Sequence, residues 1–561
     1  MIGTDSQRLR VVEDSLGSIK VPLERYYGAQ TARSLENFNI CTRSDTMPLQ
    51  IVYSLAMIKE VAACTNFKFG RISSKISDAI VKSCREIYNG QHDNEFPLVI
   101  WQTGSGTQTN MNVNEVLSSR ASELIEGSRS SKLTVHPNDH SSNDVFPTAM
   151  NLSIAMETAW KVLPSLNHLI NVLKSKMHEF MDVIKIGRTH MQDAVPMSVG
   201  QELSGYVSQL QQAVDSIKSQ LPLICYLAVG GTAVGTGLNC FKGFDEELCM
   251  GLTQLADRLY RTMYKESTPA IDLVFKPAEN KFAALAGHDA LLQLSGCFNT
   301  TATALMRLSN DFCLLSSGPN CGLSEFVLPA NEPGSSIMPS NHCVAPLLGP
   351  QPGGHEGPTQ ASTLQLSFIP CHTPTTSPLF PTSPSSRSLS PGNRSTPITY
   401  IHQSCFWNVI DGKVEGNGKV NPTQCESLRM VSLQIMGNHF TTSMAASQGQ
   451  LELNVYKPLL AANLLHTCEL LTDSTRCFAD KCVKGLQLNR EKIQEYVDKS
   501  LMLVTVLTPH IGYDLSAKLV HHASKFKKGL RESAIELNLL CGEKFDEIVK
   551  PMEMAFPHNN K

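Results

Sequence analysis

Residues Asn421–Gly437 read NPTQCESLRMVSLQIMG, and this run opens as a helix opens. Asn421 suits the N-cap, and Pro422 the first helical position, where a missing N–H costs nothing. Gln424 stands where a capping box places it. Leu428, Val431 and Ile435 then fall on one face. The same periodicity recurs upstream, where Met150, Ile154, Ala155, Ala159 and Val162 share a face. The segments around 195–225, 280–317 and 450–472 repeat it, and strand-like alternation is sparse. The expected fold class is all-α, organised as a bundle of long helices.

With 561 residues, a sizeable core is easily buried and more than one folding unit is expected. The hydrophobic fraction is 42% and the charged fraction 18%, as in ordinary soluble proteins. Lys+Arg 48 against Asp+Glu 51 leaves a net charge of −3, which argues against nucleic acid or an anionic membrane as partner. A small anionic substrate stays compatible, because local donors can hide in a neutral average. The 17 cysteines are scattered without CxxC pairs, so a reducing compartment is expected. No apolar run reaches transmembrane length. The first residues lack an apolar signal core and include Asp5, Glu13 and Asp14, which points to the cytoplasm. A leader preceding this start would redirect the chain to the mitochondrion.

One stretch departs from the helical pattern. From Ser340 to Asn417 the chain is rich in Pro, Ser and Thr and nearly free of charge, as in CHTPTTSPLFPTSPSSRSLSPGNRSTP. No period persists there, and such a composition buries too little apolar surface to offset its ordering entropy. It reads as an unstructured insertion.

Four polar clusters interrupt the helical runs. Trp101–Asn112, WQTGSGTQTNMN, combines glycines that let a backbone approach a ligand with hydroxyl and amide donors; it reads equally as a turn before a helix. His136-Pro137-Asn138-Asp139 and Ser141-Ser142-Asn143-Asp144 are rich in N-cap residues, and a helix start also binds carboxylates. Gly187–Asp193, GRTHMQD, carries His190, which can move a proton near neutrality or serve structure alone. Asn331–Pro339, NEPGSSIMP, reads locally as a turn. Gly230–Gly237 lacks the strand–turn–helix setting of a dinucleotide site and reads as a connecting loop.

Taken in order, WQTGSGTQTNMNVNEV, VHPND, SSNDVFPTAM, IGRTHMQDAVP, GGTAVGTGLN, NEPGSSIMP, KVNPTQCE, MGNHF, ELNVYKP and SLMLVT resemble the motifs of the fumarase/aspartase superfamily, from about Gly17 to the C-terminus. His190 and Thr423-Gln424-Cys425-Glu426 make the resemblance that of class II fumarases rather than aspartases. The resemblance implies hydration of fumarate to L-malate without metal or organic cofactor. It also implies a homotetramer whose active sites are shared between subunits. Three domains are expected: 1–139, mostly helical; 140–490, the central bundle; and 491–561, a small helical domain.

By motif, Ser335 resembles the serine that takes the carbon-bound proton of malate. His190, partnered by Glu332, resembles the group that handles the water proton. Ser105, Gly106, Thr107, Ser141, Ser142, Asn143, Thr189, Ser336, Lys419, Val420 and Asn421 would bind the substrate carboxylates. His136, Pro137, Asn138 and Asp139 resemble an outer dicarboxylate site. Two departures stand out. The family's GSSIMPGKVNP is split between Pro339 and Gly418 by Ser340–Asn417, as if an intron were read as coding sequence. Asp139 and Ser141 are joined by His140 alone, where the family has several more residues. A catalytically impaired paralogue or misprocessed chain is therefore the alternative expectation, ahead of an aspartate ammonia-lyase.

Overall fold

The computed structural model describes residues 8–129, 142–265, 271–332 and 420–556. An N-terminal hairpin, β1 (Leu9–Asp14) with β2 (Gly17–Pro22), precedes helices α1 (Ala29–Asn37), α2 (Leu49–Lys68), α3 (Ser74–Tyr88) and α4 (Thr107–Glu126). Helices α5 (Ser142–Glu157) and α6 (Leu163–Glu179) run on through a π-helical turn, Thr158–Val162. A second hairpin, β3 (Ile184–Thr189) with β4 (Gln192–Ser198), leads into α7 (Val199–Ile224). Helices α8 (Phe244–Met263), α9 (Lys281–Ala286), α10 (Asp289–Leu315), α11 (Thr423–Ala446) and α12 (Lys457–Phe478) follow, then α13 (Arg490–Lys499) and shorter helices to Ala555. Among the described residues the sheets are all two-stranded. The all-α reading holds.

The helical face read at Met150 is the core face: Met150, Ile154, Ala155, Ala159 and Val162 are all buried. Two prolines inside this run remove helical donors. Pro164 has no N–H for the Trp160 carbonyl, and the Tyr264 hydroxyl donates to it at 3.4 Å; the π-helical turn sits at this point. Helix α10 packs against α7 and α11, and α12 against α5, α6 and α11, which forms the bundle. Leu428 and Ile435 of α11 are buried and Val431 packs on the same core, as their spacing predicted.

The start of α11 differs from expectation. Pro422, not Asn421, is the cap residue, no side chain caps the helix, and Thr423 begins it. The Thr423 N–H donates to the Asn421 carbonyl at 2.9 Å, which turns the chain before the helix can form. A separate apolar core, including Leu503, Leu507, Leu519, Leu530 and Phe545, lies within the expected C-terminal region. Every described cysteine is a free thiol. The insertion expected at Ser340–Asn417 and the shortened link at His140 lie outside the described residues.

Candidate active site

The turn before α4 is built around Gly106. Its φ of 78° is left-handed, and a Cβ there would overlap the Phe146 ring of α5, so glycine is required twice over. Gln102 and Gln108 staple this turn. Gln102 Oε1 accepts from Thr109 N and Oγ1 at 3.0 and 2.9 Å, and Gln108 Oε1 accepts from Thr103 N at 3.0 Å. The hydroxyls of Ser105 and Thr107 then lie 2.7 Å apart.

Against this turn stands the N-terminus of α5, where the helix dipole favours an anion. Buried Lys59 donates to Asn110 Oδ1 at 2.9 Å, and Asn110 Nδ2 donates to Ser142 Oγ at 2.9 Å. The Ser142 hydroxyl proton is thereby left to point elsewhere. Asn143 Nδ2 donates to the Ala233 carbonyl at 2.9 Å, and the Lys457 ammonium donates to the Asn143 carbonyl at 3.1 Å. Asp144 Oδ2 accepts from the N–H groups of Gly230 and Thr232 at 3.0 and 3.1 Å, so the Gly-rich loop serves as a wall of this cluster. Asp144 also lines a cavity of about 860 Å³ with Arg71, Thr232, Asn239 and Phe241.

Burial governs the charges. It pushes the Lys59 ammonium down to about 8 and that of Lys457 down to about 7, with Asp144 opposing both. It pushes the Asp144 carboxyl up to about 6 against the pull of its backbone donors, and His288 down to about 3, with Lys457 adding to the effect. Two basic groups beneath a helix N-terminus suit the binding of an anion. Sequence reading placed Asn110 and Asp144 in polar clusters without giving them a role, and missed Lys59 and Lys457. Neither lysine stands out in the sequence, since each looks like an ordinary helical residue.

His190 stands at the tip of the β3–β4 hairpin, outside the helical runs as expected. Thr189 pairs with Gln192, leaving His190 and Met191 as the two loop residues, at φ of 55° and 62°. Two successive positive φ values are what a type I′ hairpin turn demands, and Asn-Gly is the usual choice. A histidine and a methionine held there mark a strained, exposed tip. The hairpin root is clamped by a buried ion cluster: Lys185 to Glu202 and Glu325 at 2.8 Å each, and Arg188 to Glu325 at 2.7 Å. Ser198 ends the hairpin and caps α7 in a capping box with Gln201.

Glu325 also begins the segment that runs through Phe326–Val327 to Glu332. Asn331 Nδ2 donates to the Lys481 carbonyl at 2.8 Å, and Asn331 shares one crevice with Asn421, Thr423 and Lys481. The two ends of the interrupted loop therefore meet. Val420 and Asn421 are half-buried there, and Glu332 is exposed. Ser335, Ser336, Lys419, Ser141, His136, Pro137, Asn138 and Asp139 lie outside the described residues.

The chain thus unites Ser105, Gly106, Thr107, Ser142 and Asn143, and separately apposes Asn331 and Asn421. It does not pair His190 with Glu332: both are exposed and no ion pair joins them. No group of His, Cys, Asp or Glu among the described residues is arranged to hold a metal ion.

Comparison with known proteins gives this arrangement a family. The profile of the Lyase family matches residues 17–342, and that of the fumarase C C-terminus matches residues 503–555. The first match stops close to the point where the loop motif is interrupted. Over 566 aligned positions the chain is 80% identical to the fumarate hydratase of Schistosoma mansoni, covering 100% of each. The alignment is longer than this chain's 561 residues, so the schistosome protein carries residues that this chain lacks. The class II fumarate hydratase of Thermosynechococcus vestitus is 43% identical, over 96% of this chain and 97% of that protein. The crystal structure of recombinant class II fumarase from Schistosoma mansoni superposes with a TM-score of 0.83, at 80% identity, covering 98% of this chain and 100% of that one. A hydroxyl-lined turn against a helix N-terminus, a histidine at a hairpin tip and end-to-end similarity of this degree converge: the chain belongs to the fumarase/aspartase superfamily of lyases and, within it, to the class II fumarases.

Proposed function

We infer that this chain catalyses the reversible, stereospecific hydration of fumarate to L-malate. The observation that carries the reading is full-length identity of 80% with a fumarate hydratase. The paired hydroxyls of Ser105 and Thr107 beside the α5 N-terminus agree with it, as a mount for one carboxylate of a dicarboxylate. Purified protein should consume fumarate, followed by loss of its ultraviolet absorbance, and should regenerate it from L-malate. Turnover of aspartate but not malate would overturn the assignment.

In our reading Ser335 exchanges the carbon-bound proton and His190 the proton of water. Ser105, Gly106, Thr107, Ser141, Ser142, Asn143, Thr189, Ser336, Lys419, Val420 and Asn421 hold the carboxylates. Removing a proton beside a carboxylate builds charge on that carboxylate, so donors fixed in advance lower the barrier most. The outer site at His136–Asp139 and the domain limits 1–139, 140–490 and 491–561 are proposals from motif alone.

The carboxylate that holds the His190 imidazole is Glu332 in this reading. Glu426, exposed in the first turn of α11, is a second acidic side chain at the loop ends among the described residues. Losing the partner should lower kcat by about 10²-fold, within the span for impaired acid–base catalysis. Glu332→Gln and Glu426→Gln, compared by steady-state kinetics, tell the two apart. A full-rate Glu332→Gln variant would remove Glu332 from the mechanism.

A homotetramer completes the site. Helix α11 exposes Met430, Leu433, Phe440 and Met444 along its length, an apolar stripe unusual for a solvent-facing surface. Copies of this chain covering that stripe would bring His190 of one subunit to the loop ends of another. Light scattering should return the mass of four chains, and a monomer at full activity would rule this out. No helix among the described residues is long and apolar enough to cross a membrane. The compartment we propose is the cytoplasm. The rat and human relatives are named mitochondrial, and a leader preceding Met1 would send this chain to the same place.

A further inference from the structure

Helix α5 contains Pro147, which has no N–H to give to the carbonyl four residues earlier, that of Asn143. A side chain from far along the sequence supplies the donor: the fully buried Lys457 ammonium reaches the Asn143 carbonyl at 3.1 Å. The same residue's backbone N–H donates to the Gly104 carbonyl at 3.0 Å, one residue before Ser105. Gly104 lies so close to the Val455 carbonyl that any Cβ would collide with it. The Leu453–Lys457 turn is in turn pinned by buried Asn454. Its Nδ2 donates to the Ala445 carbonyl at 3.1 Å, and its Oδ1 accepts from Tyr456 N at 2.8 Å.

We propose that Lys457 is a positioning residue for dicarboxylate binding. Its backbone holds the Ser105–Thr107 turn, and its ammonium holds the Asn143–Asp144 peptide, in the first turn of α5, through the carbonyl that Pro147 does not serve. This rests on the functional reading above and deepens it, because it names what sets the distance between the two donor groups. A lysine is suited to the task. It spans from the first residue of α12 to the first turn of α5, and it adds positive charge beneath a site for anions. The pairing also accounts for a proline inside a helix whose first turn faces the ligand: removing the helical N–H makes the Asn143 peptide answer to Lys457.

The test is a cycle of Lys457→Met and Pro147→Ala, read by kcat and KM for fumarate and malate. Lys457→Met keeps chain length but loses the donor. It should raise KM by about 10-fold or more, with a smaller fall in kcat, since misplacement of a binding group by about 1 Å costs on the order of 10²-fold. Adding Pro147→Ala returns a helical N–H to the Asn143 carbonyl and should recover most of the lost KM. A role in general stability would not produce that recovery. An unchanged KM in Lys457→Met, or a double variant no better than the single one, overturns the proposal. If Lys457→Met fails to fold, the double variant decides: it should fold and bind, and its failure to do so overturns the proposal as well. Wild-type turnover of fumarate is the control for the functional reading itself. Its absence defeats that reading, whereas measurable wild-type turnover beside an unaffected Lys457→Met defeats only the role of Lys457.

Discussion

Replacing His190 by Gln lowers fumarate hydration by about 10²–10⁴-fold, the span expected when an acid–base group is lost. Gln keeps a hydrogen-bonding side chain of similar reach but cannot titrate. The loss should fall mainly on kcat, because the change removes proton movement rather than substrate contact. The fold should be indifferent to it. His190 is exposed at the tip of a hairpin whose root is held by Lys185, Arg188, Glu202 and Glu325, all untouched by the substitution. Thermal melts and solution mass of the variant should match the wild type. A variant with full activity would show that the histidine occupies its strained turn for structural reasons only.

Deleting Ser340–Asn417, so that Pro339 joins Gly418, raises turnover by on the order of 10²-fold. Loop closure by itself does not forbid the insertion, since its cost rises by only about 0.6 kcal/mol per doubling of length. Catalysis is the stricter requirement. In our reading Ser335 must meet the reacting carbon while Lys419 and Asn421 hold a carboxylate, and about 1 Å of misplacement costs about 10²-fold. The described parts of the chain are already prepared for the short loop: Asn331 and Asn421 share one crevice, and Asn331 is tied to Lys481. Both forms should be purified and compared at equal subunit concentration. Equal rates would make the inserted segment a tolerated elaboration rather than an interruption. A full-abundance mature transcript containing codons for Ser340–Asn417 would separately exclude the retained-intron origin.

The helical architecture was legible in the sequence because a buried helix face must repeat near every 3.6 residues, and Met150–Val162 and Leu428–Ile435 do so over several turns. The Ser105–Thr107 turn was legible for a related reason. Glycines and hydroxyls directly before a helical run announce a turn, and the left-handed Gly106 makes it. The His190 hairpin was not legible. Its strands are six and seven residues long, and its turn carries His-Met where Asn-Gly would have signalled it.

The remaining features depend on long-range packing, which no local pattern encodes. Lys457 follows a Tyr and precedes a Pro, like any first-turn lysine. Only the packing of α12 against α5 places its ammonium on the carbonyl that Pro147 leaves to it. Lys59 and Asp144 carry charges that the sequence would assign to solvent, and burial sets their titration. The sequence by itself thus determined the helical class and the family. Tertiary structure decided which polar residues share a surface within one subunit, because side chains more than a few turns apart meet only when helices pack.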